Sequence, residues 1–287
     1  MTGDDAIVVR GLTKTYGSKR AVDGVDLTVA QGEVFALLGP NGAGKTTTVE
    51  ILEGYRHRDG GEVTVLGTDP ARPTPQWRSR VGIVLQGTGE FENLRVDEVV
   101  SLFAGYYPHA DDPDAVIERV GLAHKRSALT HTLSGGQKRR LDVALGIVGR
   151  PDVLFLDEPT TGFDPEARRE FWELIRALAG GGTTILLTTH YLQEAEALAN
   201  RVGVIADGRL IAVASPADLG GRSHSAAVVS WRGPDGPRSE RTETPTAYVS
   251  QLSLDFEGAE IPGLTVTRPT LEDVYLEMIS ATAGDPA

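Results

Sequence analysis

The stretch Gly39–Thr46, Gly-Pro-Asn-Gly-Ala-Gly-Lys-Thr, constrains this chain most, because it matches G-x-x-x-x-G-K-[ST] and directly follows the apolar run Val34–Leu38. Its glycines let backbone N–H groups point into one concavity, and the dipole of a following helix favours an anion there. Lys45 would reach the β- and γ-phosphates of a nucleotide, and Thr46 would place a hydroxyl on Mg²⁺. Because the bare pattern arises by accident in roughly one such chain in a hundred, the alternative of a Gly-rich surface turn is disfavoured.

Composition limits the classes of protein to which the chain can belong. Its 287 residues suffice for one large α/β domain with a small appendage, or for two modest domains. The 28 Lys and Arg residues against 40 Asp and Glu residues leave a net charge of −12, so nucleic acid is not expected as the main partner. The sequence has no cysteine, which excludes disulfides, thiolate metal sites and cysteine nucleophiles and suits a reducing cytosol.

The apolar segments are too short to span a bilayer. No run of about 18 apolar residues occurs, and the N-terminal Met1–Asp5 is acidic where a secretory signal would be basic. We therefore expect any membrane role to be carried through a partner.

The order of the apolar segments predicts an α/β fold. Val34–Leu38 and Val153–Leu156 are apolar on both faces, which is typical of strands buried inside a parallel sheet. Between Val96 and Leu129 the spacing becomes helical, which predicts a helical insert. Asp207-Gly208 predicts the turn of an edge hairpin.

The segment after Leu219 has no chemical motif. Gly233–Thr244 is polar and resembles a linker, whereas Ala226–Trp231 and Leu264–Thr267 are consistent with strands and Thr270–Ile279 with a final helix.

Asp157 and Glu158 follow the second apolar strand and form a candidate catalytic pair. On an extended strand end their side chains leave in opposite directions, which predicts two different roles. In phosphoryl transfer one carboxylate holds Mg²⁺ and the other polarises an attacking water. A solvated helix cap is the alternative, but ligands of open α/β sheets lie beyond the carboxyl ends of buried parallel strands.

Ser134-Gly135-Gly136 precedes a predicted helix and forms a second candidate anion site. Ser134 is suited to the N-cap position, with free backbone N–H groups behind it. By spacing alone, an ordinary helix cap is the favoured interpretation, because many helices begin with serine and glycine.

Several segments, in order, resemble the motifs of ATP-binding cassette (ABC) ATPases. The sequence Leu133–Gln137 is similar to the family signature. The other matches are the phosphate loop Gly39–Thr46, the Q-loop residue Gln86, the second Walker motif Val153–Glu158, the D-loop residue Asp164 and the switch histidine His190.

The resemblance covers about residues 5 to 220 and implies a fold class: an α/β P-loop NTPase cassette with a parallel-sheet core, an antiparallel β subdomain and a helical subdomain. The expected domains are residues 1–220, with the helical subdomain at about 87–150, and a small C-terminal accessory region at 221–287.

The resemblance also implies ATP and Mg²⁺ as cofactors and assigns the site. Lys45, Gln86, Glu158 and His190 are the implied catalytic residues, Glu158 as general base and His190 as sensor of the γ-phosphate. Thr46, Gln86 and Asp157 would organise Mg²⁺. The implied ATP-binding residues are Tyr16, Gly39, Pro40, Asn41, Gly42, Ala43, Gly44, Lys45, Thr46 and Thr47.

Tyr16 matches the aromatic residue that stacks on adenine in the family, and its alternative is a loop aromatic packed on the core. Two cassettes pair head to tail in this family, so each ATP would lie between the phosphate loop of one copy and the signature of the other. The residues implied to complete the second copy's site are Ser134, Gly135, Gly136, Gln137 and Asp164.

The segments Thr161–Arg169 and Pro269–Leu276 resemble those of bacterial drug and antibiotic exporter ATPases of the daunorubicin-resistance type. Phe163 replaces the leucine more usual in the wider family, and Lys138 stands where glutamine is frequent. Neither change removes a catalytic group. The implied protein is a homodimeric ATPase subunit at the cytoplasmic face of the membrane, serving separate permease subunits in the export of a drug, antibiotic or lipid-like compound.

Two other functions remain open from the sequence. One is an ABC ATPase that acts on a non-membrane partner in iron–sulfur assembly, on the ribosome or in DNA repair. The other is a nucleotide-binding regulator without turnover, which the presence of Glu158 and His190 disfavours.

Overall fold

The computed structural model describes residues 5–84 and 91–283 of the chain, which divides into two compact units, Met1–Val213 and Ala214–Ala287. In chain order the first unit contains β1 (Asp5–Tyr16), β2 (Lys19–Ala30), β3 (Val34–Leu38), α1 (Lys45–Leu52), β4 (Gly60–Val65), α2 (Pro75–Arg78), β5 (Val81–Val84), α3 (Val96–Ala104), α4 (Pro113–Arg119), α5 (Gly135–Ile147), β6 (Val153–Asp157), α6 (Pro165–Gly180), β7 (Thr184–Thr189), α7 (Leu192–Leu198), β8 (Arg201–Ala206) and β9 (Arg209–Ala214). The second contains β10 (Ala227–Gly233), β11 (Gly236–Thr242), α8 (Pro245–Asp255), β12 (Thr265–Thr267) and α9 (Leu271–Ala283). Each helix in this described part of the chain is too short or too polar to cross a membrane.

A six-stranded sheet in the order β5-β6-β7-β3-β8-β9 forms the centre of the first unit. The neighbouring strands from β5 to β8 run parallel. All residues of β3 and β7, and Val153–Leu156 of β6, are buried, which confirms the two strands predicted from unbroken apolar runs. Since parallel strands end at the same edge, the sheet brings the chain after Leu38, Asp157 and Thr189 to one edge.

A three-stranded antiparallel sheet in the order β2-β1-β4 lies in the same unit. Its strand β2 alternates between exposed and buried residues, with Val25, Leu27 and Val29 buried. These side chains share one hydrophobic core with Ile51 and Leu52 of α1. Helix α1, which follows the phosphate loop, is therefore held against this sheet by the burial of Ile51 and Leu52.

The helical insert predicted between Val96 and Leu129 contains α3 and α4, which pack on each other and on α5. Asp112 caps α4, its carboxylate accepting from the Ala115 N–H at 3.4 Å, and Pro113 occupies the first helical position. Proline is tolerated there because the N–H it lacks would have no partner within the helix. The prolines therefore separate the helices of the insert rather than break a single one.

Asp207 and Gly208 form the two-residue turn between β8 and β9, with φ values of 46° and 78°. This confirms the hairpin predicted from the Asp-Gly pair, since such turns need left-handed backbone. The Gly208 N–H donates to the carbonyl of Ala43 at 3.0 Å, and the Gly208 carbonyl accepts from the Asp23 N–H at 2.8 Å. The turn is thereby hydrogen-bonded to the phosphate loop at Ala43.

The second unit is an antiparallel sheet in the order β11-β10-β12 with two helices. The prediction of a linker at 233–244 is wrong, because Gly236–Thr242 is strand β11, paired with β10 along its whole length. This strand carries almost only polar, exposed residues and contributes backbone hydrogen bonds to an edge, so it has no apolar alternation to detect. Gly220 packs against α9, since a Cβ there would lie 2.2 Å from Val274 Cγ1.

Candidate active site

The phosphate loop, Gly39–Thr46, needs glycine for two physical reasons. Gly42 and Gly44 have φ values of 79° and 106°, a backbone region that L side chains rarely adopt. A Cβ on Gly39 would lie 2.4 Å from the Ile205 carbonyl oxygen, and one on Gly44 would lie 2.3 Å from that of Ala21. The loop is therefore pressed against neighbouring backbone at Gly39 and Gly44, where no side chain would fit.

Lys45 is 5% exposed and opens helix α1. Its Nζ donates to the carbonyl oxygens of Gly39 at 2.7 Å and Pro40 at 3.2 Å, so its ammonium group lies over the loop. Burial lowers the pKa of Lys45, and the charges of Glu158 and Asp157 act in the opposite direction. The ammonium and the two carboxylates therefore converge, as a site for a polyanion and a cation requires.

The oxygen groups at this edge fit Mg²⁺. Thr46 is exposed in the first turn of α1, and Asp157 ends strand β6 half-buried. A hydroxyl and one carboxylate are hard oxygen ligands of the kind that hold Mg²⁺ together with substrate phosphates. Thr47 is half-buried beside Thr46. Gln86, the other predicted ligand, lies outside the described residues.

Glu158 departs from the extended backbone assumed in the sequence analysis. Its φ is +43°, a strained value for a residue with a side chain, and strand β6 ends one residue earlier. Two sets of bonds hold this turn. The Glu158 N–H lies 3.1 Å from both the Thr188 carbonyl oxygen and Thr188 Oγ1, and that hydroxyl also donates to Asp157 Oδ1. Arg139 donates to the Asp157 carbonyl at 2.6 Å and to the Pro159 carbonyl at 3.1 Å.

His190 lies directly beside Glu158. Its Nδ1 is 3.2 Å from Glu158 Oε1, and the imidazole is exposed. The hydroxyl of Thr161 donates weakly to the other carboxylate oxygen, at 3.4 Å. The structure thus brings together Glu158, the predicted base, and His190, the predicted sensor. Glu158 directly follows β6, and His190 directly follows β7.

The signature segment lies at the start of α5. Ser134 caps this helix: its hydroxyl accepts from the Gln137 N–H at 3.3 Å, and the Gln137 side chain accepts from the Ser134 N–H at 3.1 Å. This capping box is the ordinary role left open above. Ser134 and Gly135 are nevertheless exposed, and a Cβ on Gly136 would lie 3.8 Å from Ala167 Cβ. Capping and ligand binding are therefore compatible.

Asp164 also caps a helix, since its carboxylate accepts from the N–H groups of Glu166 at 3.0 Å and Ala167 at 2.9 Å. Because Ala167 also neighbours Gly136, the signature and the D-loop residue lie at the adjacent ends of α5 and α6.

Tyr16 lies at the end of the β1–β2 hairpin, where it pairs with Lys19. Lys19 Nζ lies 3.7 Å from a Cβ built on Gly42, which places this hairpin end beside the phosphate loop. The ring is 40% exposed and is contacted by two cations, Arg56 at 5.3 Å and Lys14 at 5.6 Å from its centre. It is therefore not a core aromatic.

Sequence reasoning missed the residues that support the site. Thr188 orders the Asp157–Glu158 turn, and Arg139 clamps it from the signature helix. Arg139 is 8% exposed, and its burial lowers its pKa despite three nearby carboxylates. The available signal was the pair Thr188 and Thr189 at the end of a strand whose middle residues, Ile185–Leu187, are apolar. No local pattern distinguishes Arg139 from Arg140 or from a solvent-facing arginine.

Glu53 is a second buried acid near the site, at the end of α1 and 7% exposed. Burial, with smaller contributions from the charges of Asp157 and Glu50, raises its pKa from 4.5 to about 8. The folded chain therefore holds a proton here at neutral pH that the unfolded chain releases.

We expect Glu53 to make the free energy of unfolding fall as pH rises from 5 to 8.5. Folding raises the pKa of Glu53, so the folded state binds its proton more tightly than the unfolded state does. The stability that this gives is fully present below the unfolded-state pKa of 4.5, and it is lost as pH rises through the folded-state pKa of about 8. The loss is on the order of 1 kcal/mol per pH unit in this window. Glu53→Gln should flatten the slope in urea unfolding at pH 6 and 8.5 with EDTA. Glu173→Gln, at an exposed position, should keep the wild-type slope; an unchanged slope in Glu53→Gln would contradict the assignment.

The comparisons with known proteins agree with this geometry. The family model described as ABC transporter matches residues 22–161. The chain is 37% identical to the daunorubicin resistance ATP-binding protein DrrA3 of Streptomyces coeruleorubidus, over 96% of both chains. It is 38% identical to the Nod factor export ATP-binding protein I of Ralstonia nicotianae, over 96% of this chain and 94% of that one.

One solved structure with the same fold is a dimeric ATP-binding cassette in a post-hydrolysis state, bound to ADP and Pi. It is 23% identical, has a TM-score of 0.66, and covers 73% of this chain and 98% of its own. The predicted P-loop cassette fold is therefore confirmed. By its similarity to ATP-binding subunits over nearly its whole length, the chain belongs to the ABC transporter ATP-binding family and is an ATPase that uses ATP with Mg²⁺.

Proposed function

We propose that this ATPase powers export of a drug, antibiotic or lipid-like compound by separate permease subunits at the cytoplasmic face of the membrane. The observation that carries the proposal is the similarity to a daunorubicin resistance and a Nod factor export ATP-binding protein along 96% of the chain, including the second unit. The geometry supports ATP hydrolysis as the energy source, because the candidate catalytic groups lie at one edge of the sheet. These are Lys45, Asp157, Glu158 and His190.

In the proposed reaction, Lys45 and the N–H groups of Gly39–Thr46 hold the phosphates of ATP, and Tyr16 stacks on adenine. Glu158 accepts a proton from a water that attacks the γ-phosphorus, the bond to the bridging oxygen breaks, and ADP and phosphate form. Bound Mg²⁺, held by Thr46 and Asp157, would supply charge neutralisation at the phosphate oxygens.

The side chain of Glu158 is aimed by its own strained turn. The bonds from Thr188 and Arg139 fix the peptides on either side of it, and His190 lies 3.2 Å from its carboxylate. A base held this way loses little entropy when it meets the attacking water. In this proposal His190 responds when the γ-phosphate leaves.

A second copy of the chain completes the site in this proposal. Ser134 and Gly135 are exposed at the start of α5, where N–H groups and the helix dipole favour the γ-phosphate of a nucleotide on the other copy. Asp164 is exposed at the neighbouring start of α6. ATP would then bridge the copies, and hydrolysis would release them. The dimeric relative bound to ADP and Pi has the same fold.

We propose the helical insert as the surface that meets the permease. Phe91, Phe103 and Tyr106 form a row of edge-to-face rings, with centres 5.4 Å and 5.9 Å apart. Tyr106 is 70% exposed and Leu102 on α3 is 43% exposed. Exposed aromatic groups of this kind are enriched where proteins bind proteins.

Tyr106→Asp is expected to reduce recovery of the ATPase with its membrane partner at least about 10-fold, because a buried anchor ring can contribute 2 kcal/mol or more to an interface. The basal hydrolysis rate of the isolated ATPase should stay within about 2-fold of wild type, since Tyr106 lies outside the catalytic edge. Affinity purification from native membranes measures the first, and phosphate release the second. Tyr106→Phe, which keeps the ring, is the matched control; equal recovery of the Asp variant would rule this surface out.

The same purification decides between membrane transport and a non-membrane machine. A co-purifying multi-span protein supports export. Recovery with a ribosome or an assembly scaffold would replace the proposal with the alternative, while leaving the ATPase activity unchanged.

A further inference from the structure

Tyr191, next to His190, belongs to a stack of three side chains that the catalytic proposal does not use. Its ring centre lies 4.1 Å from that of His190, at an angle of 38°. The guanidinium carbon of Arg168 lies over the same ring, 4.7 Å from its centre. The phenol is therefore in contact with both the imidazole and the guanidinium.

Arg168 approaches this ring from helix α6, four residues after Asp164. Its Nε is buried and, within the part of the chain described, makes no hydrogen bond. Its main contact with Tyr191 is a cation–π interaction, which gains strength when the cation is shielded from water. The stack therefore ties the segment after β7 to the helix that follows the D-loop residue.

Glu194 is a fully buried acid on α7, three residues after Tyr191. The charge of Arg168 and the polar groups of Thr160, Thr189 and Trp172 favour its ionised form, whereas burial raises its pKa and has the larger effect. Among the described residues neither carboxylate oxygen has a hydrogen bond of ordinary length and angle. Helices α6 and α7, which carry Arg168 and Glu194, pack on one another.

We propose that Tyr191 is a positioning residue for His190, held in place by Arg168. An imidazole exposed to solvent and bonded on one side, at Nδ1, can rotate away from Glu158 unless its face is supported. The ring of Tyr191 supplies that support, and Arg168 fixes the ring against α6. The inference rests on the proposed role of His190 in hydrolysis.

The first test compares Tyr191→Ala with Tyr191→Phe in steady-state ATP hydrolysis by the full chain with Mg²⁺. We expect the Ala variant to lose at least about 10-fold in kcat with KM for ATP within about 3-fold, because Lys45 and its loop are untouched. The Phe variant, which keeps the stacking face, should retain at least half of the wild-type kcat. Tyr55→Ala removes a ring that is 79% exposed and should behave as wild type. Wild-type kcat in Tyr191→Ala would overturn the proposal, as would equal loss in both variants.

A double-mutant cycle separates positioning from a general effect on folding. In a His190→Ala background, Tyr191→Ala should cost no more than about 2-fold further, because there is no imidazole left to position. A full 10-fold further loss would show that Tyr191 acts by another route and would overturn the proposal. If His190→Ala alone hydrolyses ATP like wild type, the proposed role of His190 is wrong and the inference falls with it.

A spectroscopic readout tests the stack directly. The chain has six histidines, and the His190 ring resonances can be assigned by their loss in His190→Ala. Tyr191→Ala should move these resonances and leave the other histidines in place, because the ring current of the neighbouring phenol is removed. Unmoved His190 resonances in Tyr191→Ala would contradict the stack.

Discussion

Replacing Glu158 with glutamine is expected to lower kcat for ATP hydrolysis at least about 100-fold, the contribution of a positioned general base. Glutamine has the same shape and meets the same positive φ, so the strain of the turn and the bonds from Thr188 and Arg139 are retained. The amide cannot accept the proton of the attacking water. ATP binding should stay within about 3-fold of wild type, because Lys45 and the phosphate loop are unchanged.

Slow hydrolysis gives this variant a second expected property. If ATP bridges two copies and its hydrolysis separates them, Glu158→Gln with Mg-ATP should elute from gel filtration as a dimer, whereas wild type returns to the monomer as ATP is consumed. Glu173→Gln, an exposed residue on α6, is the control for the charge change. A Glu158→Gln variant that stays monomeric and hydrolyses ATP at the wild-type rate would refute both the base and the shared site.

The two carboxylates show how far sequence reasoning reaches. An unbroken apolar run predicted a buried strand that ends at Asp157, and the parallel sheet has this strand. The left-handed turn at Glu158 could not be predicted, because it depends on Thr188, which is distant in sequence, and on a buried arginine from another helix. A motif thus predicts which groups meet, whereas the bonds that orient them arise only on folding.

The same distinction applies to the rest of the fold. Glycine and Asp-Gly patterns predicted the phosphate loop and the β8–β9 turn because φ is a local property. Strand β11 escaped prediction, since its pairing with β10 is made by backbone groups that every residue has. The contact between Tyr191 and Arg168 likewise joins helix α6 to the residue before α7, which no periodicity connects.

Ser134→Arg is expected to separate ATP binding from ATP hydrolysis, because the proposed site is completed by the other copy. A large cation at this exposed position would block a second cassette from closing on the nucleotide, so hydrolysis should fall at least about 50-fold, corresponding to about 2.3 kcal/mol. Binding of ATP to the isolated chain should change less than about 3-fold, since Lys45 and its loop belong to the same chain as the bound nucleotide.

The capping role of Ser134 requires a matched control. Its hydroxyl accepts from the Gln137 N–H, and losing such a cap costs about 1 kcal/mol of stability. Ser134→Thr keeps the hydroxyl and should hydrolyse ATP within about 3-fold of wild type, whereas Ser134→Ala reports the cost of the lost cap without adding bulk. If Ser134→Arg binds and hydrolyses ATP like Ser134→Ala, the signature lies outside the closed site. If binding fails together with hydrolysis, Ser134 acts on the nucleotide of its own chain, and the shared site is excluded.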